Sequence, residues 1–163
     1  DINNMTGKCV LDSSVIIKAF IEPNPSLSPD VYAREISTHQ KCIQVMQCIQ
    51  ESGIEICIPT ICVIEVAAVI SRFTDHQKSN LIAYRTFSTC TIFHEEHIFN
   101  EAWKIAEMQG CSGFDTYFIA LAYSCKIPLF TDDSGMHYHA QKKKVHSCLI
   151  RESDLSTMLK YIS

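Results

Sequence analysis

Acidic residues in four separated segments stand where they could do chemistry: Asp12, Glu65, Asp115 and Asp133, the last preceded directly by Asp132. Asp12 follows the apolar run Cys9-Val10-Leu11, and Asp132-Asp133 follow Leu129-Phe130-Thr131. Both sets of acids therefore fall at the carboxyl end of a short buried strand. One such acid is ordinary, because Asp is a good turn and cap residue; two strands ending the same way ask for a reason. Glu65 is the sole charged residue between Ile61 and Ile70, where its neighbours are Ile, Cys, Val and Ala. An ionised carboxylate in such surroundings is expensive unless paired or bound to metal. Glu65 could equally sit on a single exposed stripe or pair with a buried Arg or Lys. Asp115 opens a helix after Gly110-Cys111-Ser112-Gly113, a placement that the helix dipole favours by itself. Converging on one pocket, four carboxylates would suit a hard divalent ion such as Mg²⁺ or Mn²⁺. One or two such ions, roughly 3.5–4 Å apart when paired, can activate water and stabilise a departing phosphate-ester oxygen.

The elements that must position these acids follow from periodicity and breakers. Strands are expected at Cys9–Leu11, Glu55–Ile58, Thr91–Phe93 and Pro128–Phe130, with a fifth at Val145–Leu149. Helices are expected at Ser14–Ile21 (capped by Ser13 or Ser14), Asp30–Ser52 (ended by Gly53), Thr60–Phe73, Asp75–Ser88, Glu95–Gln109 (ended by Gly110) and Phe114–Cys125. An amphipathic helix is expected over Arg151–Tyr161. Short apolar strands alternating with helices imply an α/β fold of three layers, α/β/α, around a mostly parallel central sheet of four or five strands. Sites in such sheets form outside the strand carboxyl ends, which is where Asp12, Asp132 and Asp133 fall. The segment Glu22–Pro29 holds three prolines in eight residues and reads as an internal loop. Residues 1–163 are read as one domain, with 1–7 a polar tail or expression remnant.

Composition narrows the classes. At 47% hydrophobic and 20% charged the chain is a globular domain rather than a disordered one. The absence of an apolar stretch near the N-terminus and of long apolar runs points to a cytoplasmic protein. Nine cysteines, odd in number and without a CxxC pair, read as buried reduced thiols rather than a zinc or disulfide framework. A net charge of −4 argues against coating long nucleic acid but not against a nuclease, since bound metal reverses the local charge. The run Lys142-Lys143-Lys144 reads as a solvated loop. His137-Tyr138-His139 is a weak metal pattern, and Phe99, Trp103 and Ile105 read as core or interface.

The motifs together resemble the PIN-domain family, especially its VapC-like toxin ribonuclease branch. Val10 to Phe20 (VLDSSVIIKAF) resembles the family's opening, Pro59-Thr60 with Glu65-Val66 its second motif, Phe114 to Ala122 (FDTYFIALA) its third, and Pro128 to Asp133 (PLFTDD) its fourth. The resemblance implies a metal-dependent endoribonuclease acting on RNA with Mg²⁺ or Mn²⁺. It implies that Asp12, Glu65, Asp115 and Asp133 hold the metal and activate the attacking water. Ser14 and Thr131 match positions that orient the acids and water, and Asp132 is a bystander or helper. Ser14 stands where many members carry Asn. Lys18 matches a lysine of one branch, with no catalytic role attached. A small antitoxin protein and a homodimer are implied as partners. The Glu22–Pro29 loop and the helix after it are extended relative to minimal toxins.

Three other readings compete. A housekeeping RNA-processing PIN nuclease would share the site, and a non-catalytic RNA-binding PIN scaffold would share the fold. A haloacid-dehalogenase-like phosphatase also begins with a strand-end Asp, but needs a second Asp two positions on, where this chain has Ser14.

Overall fold

A computed structural model describes residues 7–161; most of the expected N-terminal tail, residues 1–6, lies outside the described residues. Five strands form one sheet: β1 (Lys8–Leu11), β2 (Glu55–Pro59), β3 (Cys90–Phe93), β4 (Leu129–Thr131) and β5 (Ser147–Leu149). Their order is β3-β2-β1-β4-β5 and every pairing is parallel. A parallel neighbour cannot be reached through a tight turn, so each strand is followed by helical crossover. The helices are α1 (Ser13–Phe20), α2 (Pro29–Glu51), α3 (Thr60–Ile70), α4 (His76–Phe87), α5 (Glu95–Gln109), α6 (Gly113–Cys125), α7 (Ser134–Lys142) and α8 (Leu155–Leu159). α1 packs on α2 and α3, and α3 on α4, while α6 packs on α5 and α7. The result is a three-layer α/β/α fold whose sheet is wholly parallel and five-stranded.

Covered on both faces, the strands need apolar side chains on both. Cys9, Val10 and Leu11 of β1 and Leu129 and Phe130 of β4 are all buried. Ile16, Ile58, Val66, Phe118, Ile119 and Leu121 join the same core. All nine cysteines are free thiols. No helix among the described residues is long and apolar enough to cross a membrane.

Some boundaries differ from the sequence expectation. α1 takes Asp12 as its N-cap residue, not Ser13 or Ser14; both serine hydroxyls donate to carboxylates instead. α3 stops at Ile70, and Asp75 caps α4 by accepting from the Lys78 amide. The expected helix over Arg151–Tyr161 is split into a single 3-10 turn, Ile150–Glu152, and the short α8. Asp154 divides them, because its carboxylate accepts from the Thr157 amide and starts a new helix there. Ile105 is core, but Phe99 and Trp103 are exposed and stack edge-on, with centroids 5.8 Å apart.

The 3-10 turn matters to the architecture through Arg151. The Asp132 side chain is fully buried and would be unstable as a lone charge. Arg151 encloses it: Nε and the backbone amide donate to Oδ1 at 3.1 Å each, and a terminal guanidinium nitrogen donates to Oδ2 at 2.8 Å and to the Asp132 carbonyl at 3.0 Å. Lys18 of α1 donates to Oδ2 as well, and to Glu35 of α2 at 2.9 Å. One carboxylate thus ties the end of β4 to α1 and to the turn after β5. Removing it leaves two cations facing each other without their shared partner. Asp132→Ala is expected to destabilise the fold by about 3–5 kcal/mol, read as a lowered urea midpoint at unchanged slope; a shift under a tenth of the wild-type midpoint would contradict this account.

Candidate active site

The strand order reverses between β1 and β4, since β1 leads outward to β2 and β3 on one side and β4 to β5 on the other. A crevice opens at the carboxyl ends of strands at such a point. The Asp12 amide donates to the Phe130 carbonyl at 2.9 Å, which carries the β1–β4 ladder one residue beyond the strands and sets Asp12 beside Thr131.

Asp12 is 3% exposed and has no Lys, Arg or His within ion-pair distance among the described residues. Hydroxyls satisfy it. Ser14 and Thr131 both donate to Oδ2, the latter at 2.8 Å, and Ser13 donates to Oδ1 at 3.3 Å. Two of these hydroxyls are themselves held by backbone: Ser14 Oγ accepts from the Asp132 amide and Thr131 Oγ1 from the Asp133 amide, each at 3.0 Å. Burial pushes the Asp12 carboxyl above its ordinary range; the Ser14, Thr131 and Ser13 bonds oppose this, and nearby Asp133 adds to it.

Glu65 sits in the second turn of α3 and is half-buried. Its Oε2 accepts from Ser13 Oγ at 2.7 Å, so one hydroxyl lies between the Asp12 and Glu65 carboxylates. The start of α3 is fixed from outside the helix. The Ile61 amide donates to Glu95 Oε1 of α5 at 2.7 Å, and Thr60 Oγ1 donates to the Phe93 carbonyl at 3.2 Å. Glu95 thereby satisfies an amide that the helix itself leaves open. Burial raises the Glu65 carboxyl, Ser13 lowers it, and Asp12 raises it further.

Asp115 lies in the first turn of α6, half-buried. Its carboxyl is pushed up to about 6, first by burial and then by Asp133, Asp12 and Glu65. All four acids therefore act on one another, although they come from the end of β1, α3, α6 and the end of β4. Asp133 is exposed and is the N-cap of α7, where Oδ1 accepts from the Met136 amide at 2.8 Å. Gly135 lies close beneath it: a Cβ there would stand 3.1 Å from Asp133 Oδ1.

Asp132 points the other way, into the Arg151–Lys18 pair. Burial would raise its carboxyl, but Arg151 and Lys18 together hold it below the ordinary range. Asp132 is therefore an anchor under the site, and its own amide serves Ser14. The His pair of α7 is turned elsewhere: His137 bonds Ser147 and His139 bonds Gln109.

Sequence reasoning missed Ser13, Glu95 and Arg151. Arg151 was within reach of it, because the register Thr131↔Leu149 puts the residues just past β5 beside those just past β4. Ser13 and Glu95 gave no comparable signal, since each depends on a contact between distant turns.

The donor chemistry fits a hard divalent cation. Four carboxylates gather, none of them with a cationic side chain as partner among the described residues, and burial first, then mutual repulsion, lifts three of them. As they stand, no three His, Cys, Asp or Glu among the described residues are arranged to hold a metal directly. Mg²⁺ commonly takes only one or two carboxylates and keeps several waters, so an open cluster of this kind suits it.

A family model described as PIN domain matches residues 9–142. The crystal structure of FitAcB from Neisseria gonorrhoeae is similar in fold, with a TM-score of 0.53 at 18% identity, over 85% of this chain and 95% of that one. No curated protein matches the sequence.

The acid cluster has a consequence for stability. Asp115 titrates near 6 when folded and near its ordinary 3.8 when unfolded. The folded chain binds the extra proton between those values, so the contribution is favourable below about pH 4 and is lost as pH rises through 6. Without divalent ions, Asp115→Asn is expected to raise the melting temperature at pH 7.5 by about 2–4 °C and to leave it unchanged at pH 4. Calorimetry at both pH values checks this, and a variant less stable than wild type at pH 7.5 would refute the cost of holding Asp115 charged in this half-buried, acidic setting.

Proposed function

The chain belongs to the PIN-domain family, and we propose that it is a metal-dependent endoribonuclease hydrolysing RNA phosphodiesters at Asp12, Glu65, Asp115 and Asp133. PIN domains are generally nucleases. The observation that carries the reading is the gathering of four carboxylates at the switch point of the sheet, without a cationic partner among the described residues. A structural role does not account for it, because a fold gains nothing from unpaired like charges.

Mg²⁺ or Mn²⁺, when bound, would supply the positive charge that offsets these acids, polarises water and stabilises charge developing on the phosphate. The chain's own residues do the rest. Ser14 and Thr131 hold Asp12 Oδ2, each anchored by a backbone amide, so the carboxylate is oriented before any ligand arrives. Ser13 holds Glu65 Oε2 toward Asp12. Asp133 is fixed at Oδ1 by the Met136 amide. Asp115, whose carboxyl is pushed up to about 6, releases its proton near neutrality and can accept one at its carboxylate during attack. Preorganised groups of this kind act without reorganising during the reaction.

Within this reading the biological setting is the toxin of a toxin–antitoxin pair. The VapC-like motifs support it, and with them a small antitoxin partner, a homodimer and a cytoplasmic location.

The test is cleavage of a panel of structured and single-stranded RNAs with Mg²⁺, Mn²⁺ or EDTA. Cutting is expected only with metal, and Asp12→Asn is expected to reduce it by at least a thousandfold, equivalent to about 4 kcal/mol in the barrier. Binding without cleavage by wild type would favour the scaffold reading. Equal cutting by Asp12→Asn would remove the site from the mechanism.

A further inference from the structure

At the end of the sheet opposite the acids, Lys8 and Glu55 at the starts of β1 and β2 pair with each other at 2.8 Å, and the β4–β5 side carries the reverse charge. Between Asp115 and Glu152 the only carboxylates are Asp132 and Asp133, both at the strand carboxyl ends. The same stretch holds Lys126, Lys142, Lys143 and Lys144. Lys126 is the C-cap residue of α6 and stands three residues before β4; Lys144 follows α7 and stands three residues before β5. β4 and β5 pair in parallel with Leu129 opposite Ser147, so the two lysines sit side by side at the amino edge of the sheet. They are also the two non-glycine residues with positive φ among the described residues, 55° and 62°. That conformation ordinarily selects glycine.

Aromatic rings accompany the charges. Lys142 Nζ lies 4.6 Å from the Tyr138 ring centroid and Lys143 Nζ 4.2 Å from that of Tyr123. Both tyrosines are exposed. Lys143 also pairs with Glu101 at 2.7 Å and is thereby neutralised. Lys126, Lys142 and Lys144 are exposed and make no ion pair among the described residues. Exposed cations interleaved with aromatic faces are what single-stranded nucleic acid requires, phosphate contacts from the former and base stacking on the latter.

We propose that Lys126, Lys142 and Lys144, with Tyr123 and Tyr138, form a second RNA-binding surface at the amino edge of the sheet, which holds single-stranded RNA extending away from the acid site. The nine residues of α7 separate the two sites by about 13 Å along that helix. The surface would therefore engage long RNAs and leave short ones unaffected. In a chain of net charge −4 it is a local basic site rather than a global attraction. The Lys142 ammonium leaves the Tyr138 face for phosphate, and that face becomes free for a base, while Lys143 stays paired with Glu101 beside Tyr123.

This rests on the RNA-directed reading, and binding is measured apart from cleavage. The protein carries Asp12→Asn and is kept in EDTA, and fluorescence anisotropy follows a long single-stranded RNA and a short oligonucleotide. With K126E, K142E and K144E together, affinity for the long RNA is expected to fall about tenfold to a hundredfold, and the slope of log K against log salt to become shallower by about 2. The short oligonucleotide should bind as before, and the otherwise native enzyme should cut it as before. The neutral set K126Q, K142Q and K144Q should move the slope in the same direction, and melting temperatures should match wild type. A matched set on other elements, K78E, K104E and K160E, should change neither quantity. An unchanged slope in the K126E, K142E and K144E protein overturns the proposal, as does an equal loss in the matched set, which would indicate net charge alone. Loss of binding to polyglutamate but not to RNA also overturns it, in favour of an acidic protein partner. If wild type cuts no RNA while the slope change appears, the surface stands and the nuclease reading falls.

Discussion

A carboxylate buried at the end of the central strand, with no counter-ion among the described residues, has to be stabilised by something else. Around Asp12 that something is a pair of hydroxyls, Ser14 Oγ and Thr131 Oγ1, both donating to the same oxygen. Each hydroxyl spends its acceptor capacity on a backbone amide, from Asp132 and Asp133 respectively. A hydroxyl with one partner can rotate; with a donor and an acceptor both specified it cannot, and its proton points at Asp12. The orientation of Asp12 is thus written into the backbone of the turn after β4. The position of Asp133 is written into the same turn, so the two acids are not independent.

That turn is held in place by the opposite electrostatic solution. Thr131 closes β4, the chain bends at Asp132, and Asp133 caps α7, so the three side chains leave in different directions. Two of them serve the acid cluster, and the middle one turns into Arg151 and Lys18. Asp132 is fully charge-compensated, while the other four acids share no cation among the described residues. Adjacent residues of one type therefore have opposite roles, and the difference comes from the bend of the chain after β4 rather than from chemistry. Exchanging the two would require a register slip that also turned Thr131 away from Asp12.

Much of this was legible in the residues themselves. The alternation of short apolar runs with helical periods led directly to a layered parallel sheet, and strand-end acids led to Asp12 and Asp133. Glu65 stood out because its neighbours were apolar, and it proves half-buried and bonded to Ser13. What was not legible depends on long-range pairing. Lys18 and Asp132 are 114 positions apart, and Thr131 and Asp12 119. Such contacts have no local period, and only the strand order brings them together. The C-terminal helix was misjudged for the opposite reason. Leu155, Met158 and Leu159 do show helical spacing, but Arg151 is committed to Asp132 and Asp154 restarts the chain, so periodicity overstated the length.

The same long separations set an order in time. A chain emerging from the ribosome presents Asp12, Ser13 and Ser14 first, then Glu65, then Asp115. None of them has its final surroundings until residues 129–133 pair beside β1, and the turn carrying those residues is not secured until Arg151 follows. Loop closure over more than a hundred residues is slow compared with local helix formation. The growing polypeptide therefore carries the acids as scattered, solvated side chains until residues 129–151 have been made. Maturation of the site is tied to the synthesis of that segment, well after the acids of β1 and α3 have emerged.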